Sequence, residues 1–303
     1  MNITLKQLHV FIAVARHENL GHAAAELFLT KGAVSQALHE FERQLGTPLF
    51  DRVHPHMHLN HDGKRLLPLA DELLHRSRDI SLMFSDQTAD PFLQVGASKT
   101  IGSYILPKLL GDFEKSGLWL PGAHIANSKK LCDLVASFAL DAALLEGEEH
   151  HPDLVFEQWL ADEMVVVAHR GHPLATGVKH PLDVLRGQRW ILREPASGTR
   201  EYFDYNLAPL ISPCAVALTL SSPEAILGVV AQKLGITFTS RLIAELPSFS
   251  SHFAVIPLER DFPRTFSICY HSKKYHSISM DQFLSHCRKW TPVIDKHMDL
   301  GLL

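Results

Sequence analysis

The sequence predicts an α/β protein in which a helical amino-terminal unit and a long connecting helix precede a doubly wound α/β domain. Apolar residues recur with helical spacing before Pro91, whereas short apolar strands alternate with helical segments after it. That alternation is typical of a mainly parallel sheet covered by helices. A length of 303 residues also favours two domains over one.

The stretch from Lys31 to Arg52 predicts a helix with one buried face, which follows a turn at Leu29 to Gly32 and ends at a glycine. Val34, Leu38 and Phe41 recur at spacings of four and three, as one side of a helix requires. Small hydrogen-bonding side chains lie on the other faces near the helix start, where they can approach base edges in a major groove. An ordinary solvated helix would show the same periodicity, so both interpretations stay open for this segment alone. The polar side chains are Ser35, Gln36, His39 and Arg43.

Two shorter helices are predicted in front of this segment. Leu5, Leu8 and Phe11 begin an apolar stripe, and a second short helix begins at Gly21. Two short helices and a longer one within about 45 residues are typical of a helix-turn-helix unit. Gly46 ends the third helix, and the residues after it predict a β-wing.

In this order the segments resemble the LysR-type transcriptional regulators. The resemblance lies in Leu8 to Ala15, in the helix start Ala33-Val34-Ser35, in the break Leu45-Gly46 and in the wing start Leu49-Phe50-Asp51-Arg52. It covers the whole chain in length and order and is most specific in residues 1–65. It implies a winged helix-turn-helix DNA-binding domain over residues 1–62, with double-stranded DNA as partner. The implied DNA-binding residues are Thr30, Lys31, Ala33, Ser35, Gln36, His39, Arg43 and Arg52.

The charge is unfavourable for a protein that binds duplex DNA through phosphates. The formal net charge is −4, and residues 1–90 contain 9 Lys and Arg against 11 Asp and Glu. Phosphate neutralisation then depends on a locally basic edge, and a second subunit would double the contacts, so we expect a modest salt dependence. The candidates for that edge are Lys31, Arg43, Arg52 and Lys64.

Histidines replace the usual basic residues of the wing. His54, His56 and His58 alternate along the predicted strand and therefore share one face, and His61 follows after the turn. They could form a metal site, but a polar wing that contacts phosphate or water is favoured, and no metal site is predicted. The wings of the LysR type usually carry Arg or Lys here. The histidines therefore indicate pH-dependent contacts.

A long helix is predicted from Gly63 to about Asp86. Its apolar positions alternate spacings of four and three, and roughly 24 residues give a length of about 36 Å. A helix packed on its own domain would also carry an apolar stripe, but the resemblance implies a linker and dimerisation helix in region 63–90, with a hinge from Thr88 to Pro91. A homodimer or homotetramer follows. The seam positions are Leu66, Ala70, Leu73, Ser77, Ile80 and Phe84.

The second half resembles the two-lobed effector domain of the LysR type, which is similar to periplasmic binding proteins. The resemblance implies an effector domain over residues 91–303. Its first lobe would span about 91–163 and 267–303, and its second lobe about 164–266. The predicted strands are Leu93 to Ala97, Ala123 to Ala126, Ala142 to Leu145, Met164 to Ala168, Trp190 to Leu192, Val216 to Leu220, Ile236 to Thr239 and Arg264 to Tyr270.

Polar residues follow several of these strands, where ligands bind in such sheets. Ser98, Lys99 and Thr100 follow the first strand, and Asn127 with Ser128 follows the second. After the Trp190 strand, proline and glycine flank hydroxyl residues, which suits an anion site. Simple helix capping by Ser197 or Thr199 is the alternative for that segment.

The run from Arg193 to Arg200 resembles the Glu-Pro-x-Ser-Gly-Thr-Arg motif of a LysR-type subgroup that includes regulators of sulfur assimilation and carbon fixation. Glu146 with Gly147, and Ser222 with Glu224, match the same subgroup. The expected effector is a small anion, with no other cofactor. The implied effector-binding residues are Ser98, Lys99, Thr100, Asn127, Ser128, Glu146, Ser197, Gly198, Thr199, Arg200 and Glu224.

Other classes of protein find little support. Cysteines 132, 214, 269 and 287 lack metal-type spacing, which favours buried thiols in a reducing cytoplasm. We find no export signal, no apolar run of about 18 residues, and no nucleophile elbow or phosphate-binding glycine motif. A solute-binding protein or an enzyme built on the α/β half is the alternative function, and a regulator that is not an enzyme is the expectation.

Overall fold

The computed structural model describes residues 2–53, 56–84, 93–147, 150–246 and 252–291. His54 and the predicted hinge from Thr88 to Pro91 lie outside the described residues. The α-helices are α1 Leu5–His17, α2 Leu20–Glu26, α3 Lys31–Leu45, α4 His61–Met83, α5 Lys99–Tyr104, α6 Leu106–Lys115, α7 Ser128–Ala136, α8 Gly198–Asn206, α9 Pro223–Ala231, α10 Arg241–Ala244 and α11 Ile278–Lys289. The strands are β1 Phe50–Val53, β2 His56–Leu59, β3 Gln94–Ser98, β4 Gly122–Ala126, β5 Ala142–Glu146, β6 Leu154–His169, β7 Arg189–Arg193, β8 Ala215–Leu220, β9 Thr237–Ser240, β10 Phe253–Ile256 and β11 Pro263–His271.

Helices α1 to α3 and the β1–β2 hairpin form the predicted winged helix-turn-helix. Thr30 caps α3 by accepting the Ala33 N–H at 3.1 Å. Gly46 ends α3 with a φ of 73°, which glycine adopts without strain. The predicted buried face of α3 packs into a core built around Phe11, whose ring centroid lies 5.6 to 6.0 Å from those of neighbouring phenylalanines. Sequence periodicity was therefore sufficient to orient this helix.

Helix α4 shares its apolar residues between two faces. Leu67, Ala70 and Leu74 are buried against the amino-terminal core, where α1 covers them. The prediction that Ala70 belongs to an exposed seam with Leu73 is therefore wrong, because α1 packs against that side of α4. The apolar residues that α4 and its end leave exposed are Leu69, Leu73, Ile80, Met83 and Phe84.

The second half is built on a mixed sheet of order β10-β6-β11-β5-β3-β4, with β9 also paired to β6. Strand β3 pairs in parallel with β4 and β5, whereas β6 and β11 are antiparallel to each other. Strands β7 and β8 form a separate parallel pair. Because β6 and β11 run through both parts of the sheet, they join a first lobe (β3 to β5, α5 to α7 and α11) to a second lobe (β7 to β10, α8 and α9). The sequence pattern did not predict β10 or the first half of β6.

A buried ion cluster joins α4 to the first lobe. The Lys274 Nζ lies 2.8 Å from the Asp71 Oδ2 on α4 and 2.6 Å from the Asp141 Oδ1 before β5. The His75 Nε2 lies 3.3 Å from the same Asp141 oxygen. Burial alone would lower the pKa of Lys274, but the two carboxylates raise it above its usual range. Phe138 of the first lobe also packs into the amino-terminal core.

Within the described ranges, no helix is long and apolar enough to cross a membrane. The same residues hold no group of three or more His, Cys, Asp or Glu side chains arranged to bind a metal ion.

Candidate DNA-binding surface and effector site

The outer face of α3 presents most of the residues predicted to bind DNA. Lys31 and Ala33 lie exposed in the first turn, and Ser35, Gln36 and His39 follow on the exposed side. The side chain of Thr30 is engaged in the cap described above. A short run of small and polar side chains at a helix start has the shape that reads base edges in a major groove.

Two predicted phosphate-binding arginines are held by glutamates. Arg43 donates two hydrogen bonds to Glu40, at 2.6 and 2.8 Å. Arg52 of β1 donates to Glu42 at 3.0 Å, and the buried Glu42 also accepts the Leu49 N–H at 2.8 Å. Glu42 therefore fixes the start of the wing against the end of α3.

The two faces of the wing differ in composition. His56 and His58 are exposed, and their rings stack with centroids 6.0 Å apart, as the predicted alternation requires. Met57 between them is buried and lies opposite Arg52 in the hairpin. Since paired residues share a face, Arg52 lies on the other face from the two histidines.

An arginine at the joining strands organises the space between the lobes. Arg264 of β11 lies opposite Asp162 of β6, and its Nη2 donates to the Asp162 Oδ2 at 2.6 Å. Its Nη1 donates to the Glu146 Oε2 of the first lobe and to the Thr199 Oγ1 of the second, both at 3.1 Å. Only 1% of its side chain is exposed. Arg264 therefore contacts both lobes and the strands that join them.

Glu146 collects hydrogen-bond donors from both lobes. The Thr199 hydroxyl donates to its Oε2 at 2.8 Å, and the Thr100 N–H donates to its Oε1 at 3.3 Å. Burial alone would raise the pKa of Glu146, but Arg264 and Arg193 lower it below its usual range. The carboxylate is therefore ionised and occupies donors that the sequence assigned to an effector.

The lobes touch where α8 begins. A Cβ on Gly198 would lie 2.1 Å from the Glu146 carbonyl oxygen, so a larger residue would push α8 away from β5. The Ser128 hydroxyl donates to the same carbonyl at 3.1 Å. Asn127 is engaged differently, because its side chain caps α7 by accepting the Lys130 N–H at 2.9 Å.

Two serines at helix starts are buried without a hydrogen-bond partner. Ser98 precedes α5 on the first lobe and is 0% exposed, and Ser197 precedes α8 on the second lobe and is 1% exposed. Neither hydroxyl caps its helix, and neither has a partner among the described residues. The capping alternative is therefore wrong for Ser197. Unpartnered buried hydroxyls are rare because they lose their bonds to water.

Charged residues at the rim connect the lobes. Lys99 of the first lobe donates to the Ser221 carbonyl and lies 3.5 Å from Glu194 of the second. The Tyr104 hydroxyl donates across the same gap to Glu224 at 2.9 Å. Lys99 and Glu224 are thus bonded between the lobes.

Arg200, predicted to bind the effector, is bonded along its own helix in this structure. Its Nε contacts Asp204, one turn along α8, at 2.9 Å, and its Nη1 donates to the Arg193 carbonyl at 3.2 Å. An acidic residue four positions later thus holds the guanidinium along the helix. Arg193 is buried instead, and lines a cavity of about 10 Å³ with Thr100 and Thr199.

Sequence reasoning did not single out Arg193, which lines the cavity between the lobes, nor Arg264 and Asp162. Arg193 was visible as a charged residue at a strand end. Arg264 and Asp162 carried no comparable signal, because each lies within a strand and their pairing appears only when β6 and β11 align.

A helix-turn-helix domain joined to a two-lobed α/β domain defines a DNA-binding regulator that responds to a small ligand. Residues 5–64 match the bacterial regulatory helix-turn-helix protein family, lysR type, and residues 86–292 match the LysR substrate binding domain. The chain belongs to the LysR family of transcriptional regulators. Its relatives are regulators rather than enzymes.

Two relatives cover nearly all of the chain. It is 36% identical over 290 residues to the uncharacterized regulator YeiE of Escherichia coli K12, covering 95% of this chain and 98% of YeiE. It is 31% identical over 270 residues to a RuBisCO operon transcriptional regulator of Acidithiobacillus ferrooxidans, covering 86% and 84%. The second relative confirms the predicted likeness to carbon-fixation regulators.

Solved structures confirm the fold. A full-length OxyR variant of Pseudomonas aeruginosa superposes with a TM-score of 0.73 at 18% identity, covering 96% of each chain. The regulatory domain of Synechocystis CcmR, solved in complex with 2-PG, superposes with a TM-score of 0.61 at 24% identity, covering 66% of this chain and 96% of that one.

Proposed function

We propose that this regulator binds double-stranded DNA in the cytoplasm as a homodimer or homotetramer, and that a small anion bound between its lobes changes that binding. The observation that carries the effector proposal is the pair of unpartnered hydroxyls of Ser98 and Ser197. They belong to opposite lobes, so an oxyanion between the lobes would accept a hydrogen bond from each. The proposed division is 1–62 for DNA binding, 63–90 for the linker and 91–303 for the effector domain.

The charges between the lobes indicate which cation would contact a bound anion. Glu146 and Asp162 already balance Arg264. Arg193 is buried and lines the small cavity between the lobes, whereas Arg200 does not line it, so Arg193 is the guanidinium best placed to contact a bound anion.

Binding must involve movement of the lobes. A cavity of about 10 Å³ holds roughly one water molecule, so the lobes separate to admit an effector. An anion that binds one lobe arrangement better than another shifts the population toward it. The spacing of paired helix-turn-helix units on DNA changes in consequence.

Hydroxyls and N–H groups fit a compact oxyanion better than an aromatic acid. The candidates are sulfur oxyanions, phosphate and small phosphorylated or carboxylated metabolites. CcmR, a structural neighbour solved in complex with 2-PG, supports this class.

Calorimetry of the full-length protein with sulfite, sulfate, phosphate, 2-PG and small carboxylates tests the effector proposal. We expect one of them to bind. Ser197→Ala should weaken it about fivefold, since a neutral hydrogen bond contributes about 1 kcal/mol. Ser116→Ala, at an exposed site on the first lobe, is the matched control. Binding of large apolar compounds alone, or unchanged affinity in both Ser98→Ala and Ser197→Ala, would contradict the proposal.

The exposed stripe of α4 supports the proposed dimer. Leu73 is 51% exposed and Ile80 is 59% exposed, one heptad apart, on a helix whose other apolar face is already covered. Leu73→Asp would place a charge in that seam, and sedimentation should then show monomers. Val178→Asp, at an exposed apolar residue of the second lobe, should leave the assembly unchanged. A dimer that persists in Leu73→Asp would move the interface elsewhere.

Sequence reading is proposed for Ser35, Gln36 and His39. Selection of bound duplexes from a random pool tests this assignment. Gln36→Ala should bind a broader set of sequences than the unaltered protein, because a lost base contact relaxes discrimination by about 1–3 kcal/mol. An unchanged sequence preference would remove Gln36 from the reading surface.

A further inference from the structure

The amino-terminal domain has few free cations for phosphate. Residues 1–62 contain five Lys and Arg against six Asp and Glu, together with eight histidines. Three of the five cations are held by glutamates: Arg16 by Glu26 at 2.9 Å, and Arg43 and Arg52 as described above. These pairs leave the arginines within reach of phosphate but offset their charge, so the fixed charges of the domain attract DNA only weakly.

The exposed wing face that carries His56 and His58 holds no Lys or Arg among its described residues. Opposite His58 on β1 lies Asp51, and the Glu18 Oε1 at the end of α1 lies 3.1 Å from the His58 Nδ1. Opposite His56 lies Val53. With neutral imidazoles this face carries two carboxylates, which repel a phosphate backbone.

The hairpin holds the two rings firmly in place. Met57 is buried between them, and its N–H donates to the Glu18 carbonyl at 2.9 Å. The histidines cannot turn inward without breaking that packing. Both rings therefore point to solvent on the same face.

We infer that His56 and His58 are the phosphate-binding groups of the wing, and that they bind the DNA backbone in their protonated form. Imidazole gains its charge near neutral pH. Protonation of both rings balances Asp51 and Glu18, and the ring N–H groups that Glu18 does not accept remain as donors for phosphate. Affinity for duplex DNA then rises as the pH falls, and binding takes up protons.

Fluorescence anisotropy with the full-length protein and a random-sequence duplex of about 30 base pairs tests this inference, since non-specific binding reports the phosphate contacts. Titrations at pH 6 and pH 8, each at several salt concentrations, are compared. Affinity should be higher at pH 6 by about five- to tenfold per protonated histidine near 0.1 M salt. The salt slope should steepen by about 0.9 per histidine.

Paired substitutions identify the residues responsible. In the double variant His56→Gln/His58→Gln, the affinity at pH 6 divided by that at pH 8 should fall to the smaller ratio that the remaining histidines produce. In His56→Lys with His58→Lys, tight binding should persist at pH 8. His124→Gln, exposed on β4 far along the chain, is the matched control and should keep the full ratio. Thermal unfolding checks that each variant is folded.

An unaltered protein whose affinity does not change with pH would overturn the inference. The same holds if the glutamine pair keeps the full ratio, or if the lysine pair binds no more tightly than the unaltered protein at pH 8.

Discussion

Two buried ion clusters in this molecule share one arrangement of charge but lie in different surroundings. Each places one cation between two carboxylates: Arg264 between Glu146 and Asp162, and Lys274 between Asp71 and Asp141. Arg264 also donates to the Thr199 hydroxyl of the second lobe, two residues after the unpartnered Ser197. Lys274 lies 5.4 Å from the centre of an aromatic ring and joins α4 to the first lobe.

The difference shows what each cluster can do. The Arg264 cluster consists of groups on both lobes and on the strands that join them, so a bound ligand or a lobe movement changes its bonds. The Lys274 cluster lies between α4 and the first lobe, and its carboxylates receive Lys274, His75 and a backbone N–H. We therefore expect substitutions at Lys274 to change the free energy of unfolding. Substitutions in the Arg264 cluster should change both the free energy of unfolding and the affinity for the effector.

The largest effect should follow the loss of Lys274. Lys274→Met leaves Asp71 and Asp141 buried without their cation, which should lower the free energy of unfolding by about 3–5 kcal/mol. Urea unfolding of the full chain measures it. Lys273→Met, at the exposed neighbouring lysine, should change little. Equal losses in the two variants would show that the buried cluster contributes no more than an exposed lysine.

The Lys274→Met variant should also change how the free energy of unfolding depends on pH. Burial alone would raise the pKa of Asp141, but Lys274 and His75 lower it well below its usual range. A group with a lowered pKa adds stability above its unfolded value of about 4 and loses it as the pH falls. In Lys274→Met that contribution is absent. The difference in unfolding free energy between the unaltered protein and Lys274→Met should therefore narrow below about pH 4. A difference that stays constant with pH would show that Lys274 does not lower the pKa of Asp141.

A smaller effect is expected from Glu146→Gln in the other cluster. The amide keeps the shape but weakens the charge-assisted bonds from Arg264, which should cost about 1–3 kcal/mol in urea unfolding. Removing the negative charge should also tighten anion binding in calorimetry, because the carboxylate no longer repels the effector. Glu114→Gln on the exposed side of α6 is the control. Weaker anion binding in Glu146→Gln would mean that the carboxylate is itself a ligand.

The smallest effect on stability is expected at the buried serines. Ser197→Ala removes a hydroxyl that has no partner, so the unfolding free energy should change by less than about 1 kcal/mol while effector affinity falls. A large loss of stability would show instead that the hydroxyl has a structural bond in solution.

The sequence predicted those parts of the molecule that depend on neighbours along the chain. The buried face of α3, the cap at Thr30 and the glycine end at Gly46 follow from spacing and local chemistry. The bond from Arg200 to Asp204 is local too, since the two residues lie one turn apart on α8. Ala70 was wrongly predicted to lie in the dimer seam, because the packing of α1 against α4 is a tertiary contact that the helix periodicity does not encode.

The site residues that escaped prediction depend on distant partners. Arg264 meets Glu146 from 118 positions away, and Lys274 meets Asp71 from 203 positions away. No periodicity or motif relates such residues. The strand-end rule did bring Thr100 and Thr199 to one carboxylate, that of Glu146, because the rule rests on the topology of the sheet.

The Lys274 cluster also bears on how far the two halves of this regulator are independent. A shortened protein that begins at residue 93 would retain Lys274 and Asp141 but lose Asp71 and His75, and it would expose Phe138. Its stability and its response to pH would then differ from those of the same residues in the intact chain. The two halves therefore stabilise each other across the boundary that the sequence suggests. An effector affinity measured on the shortened protein would differ from that of the intact chain.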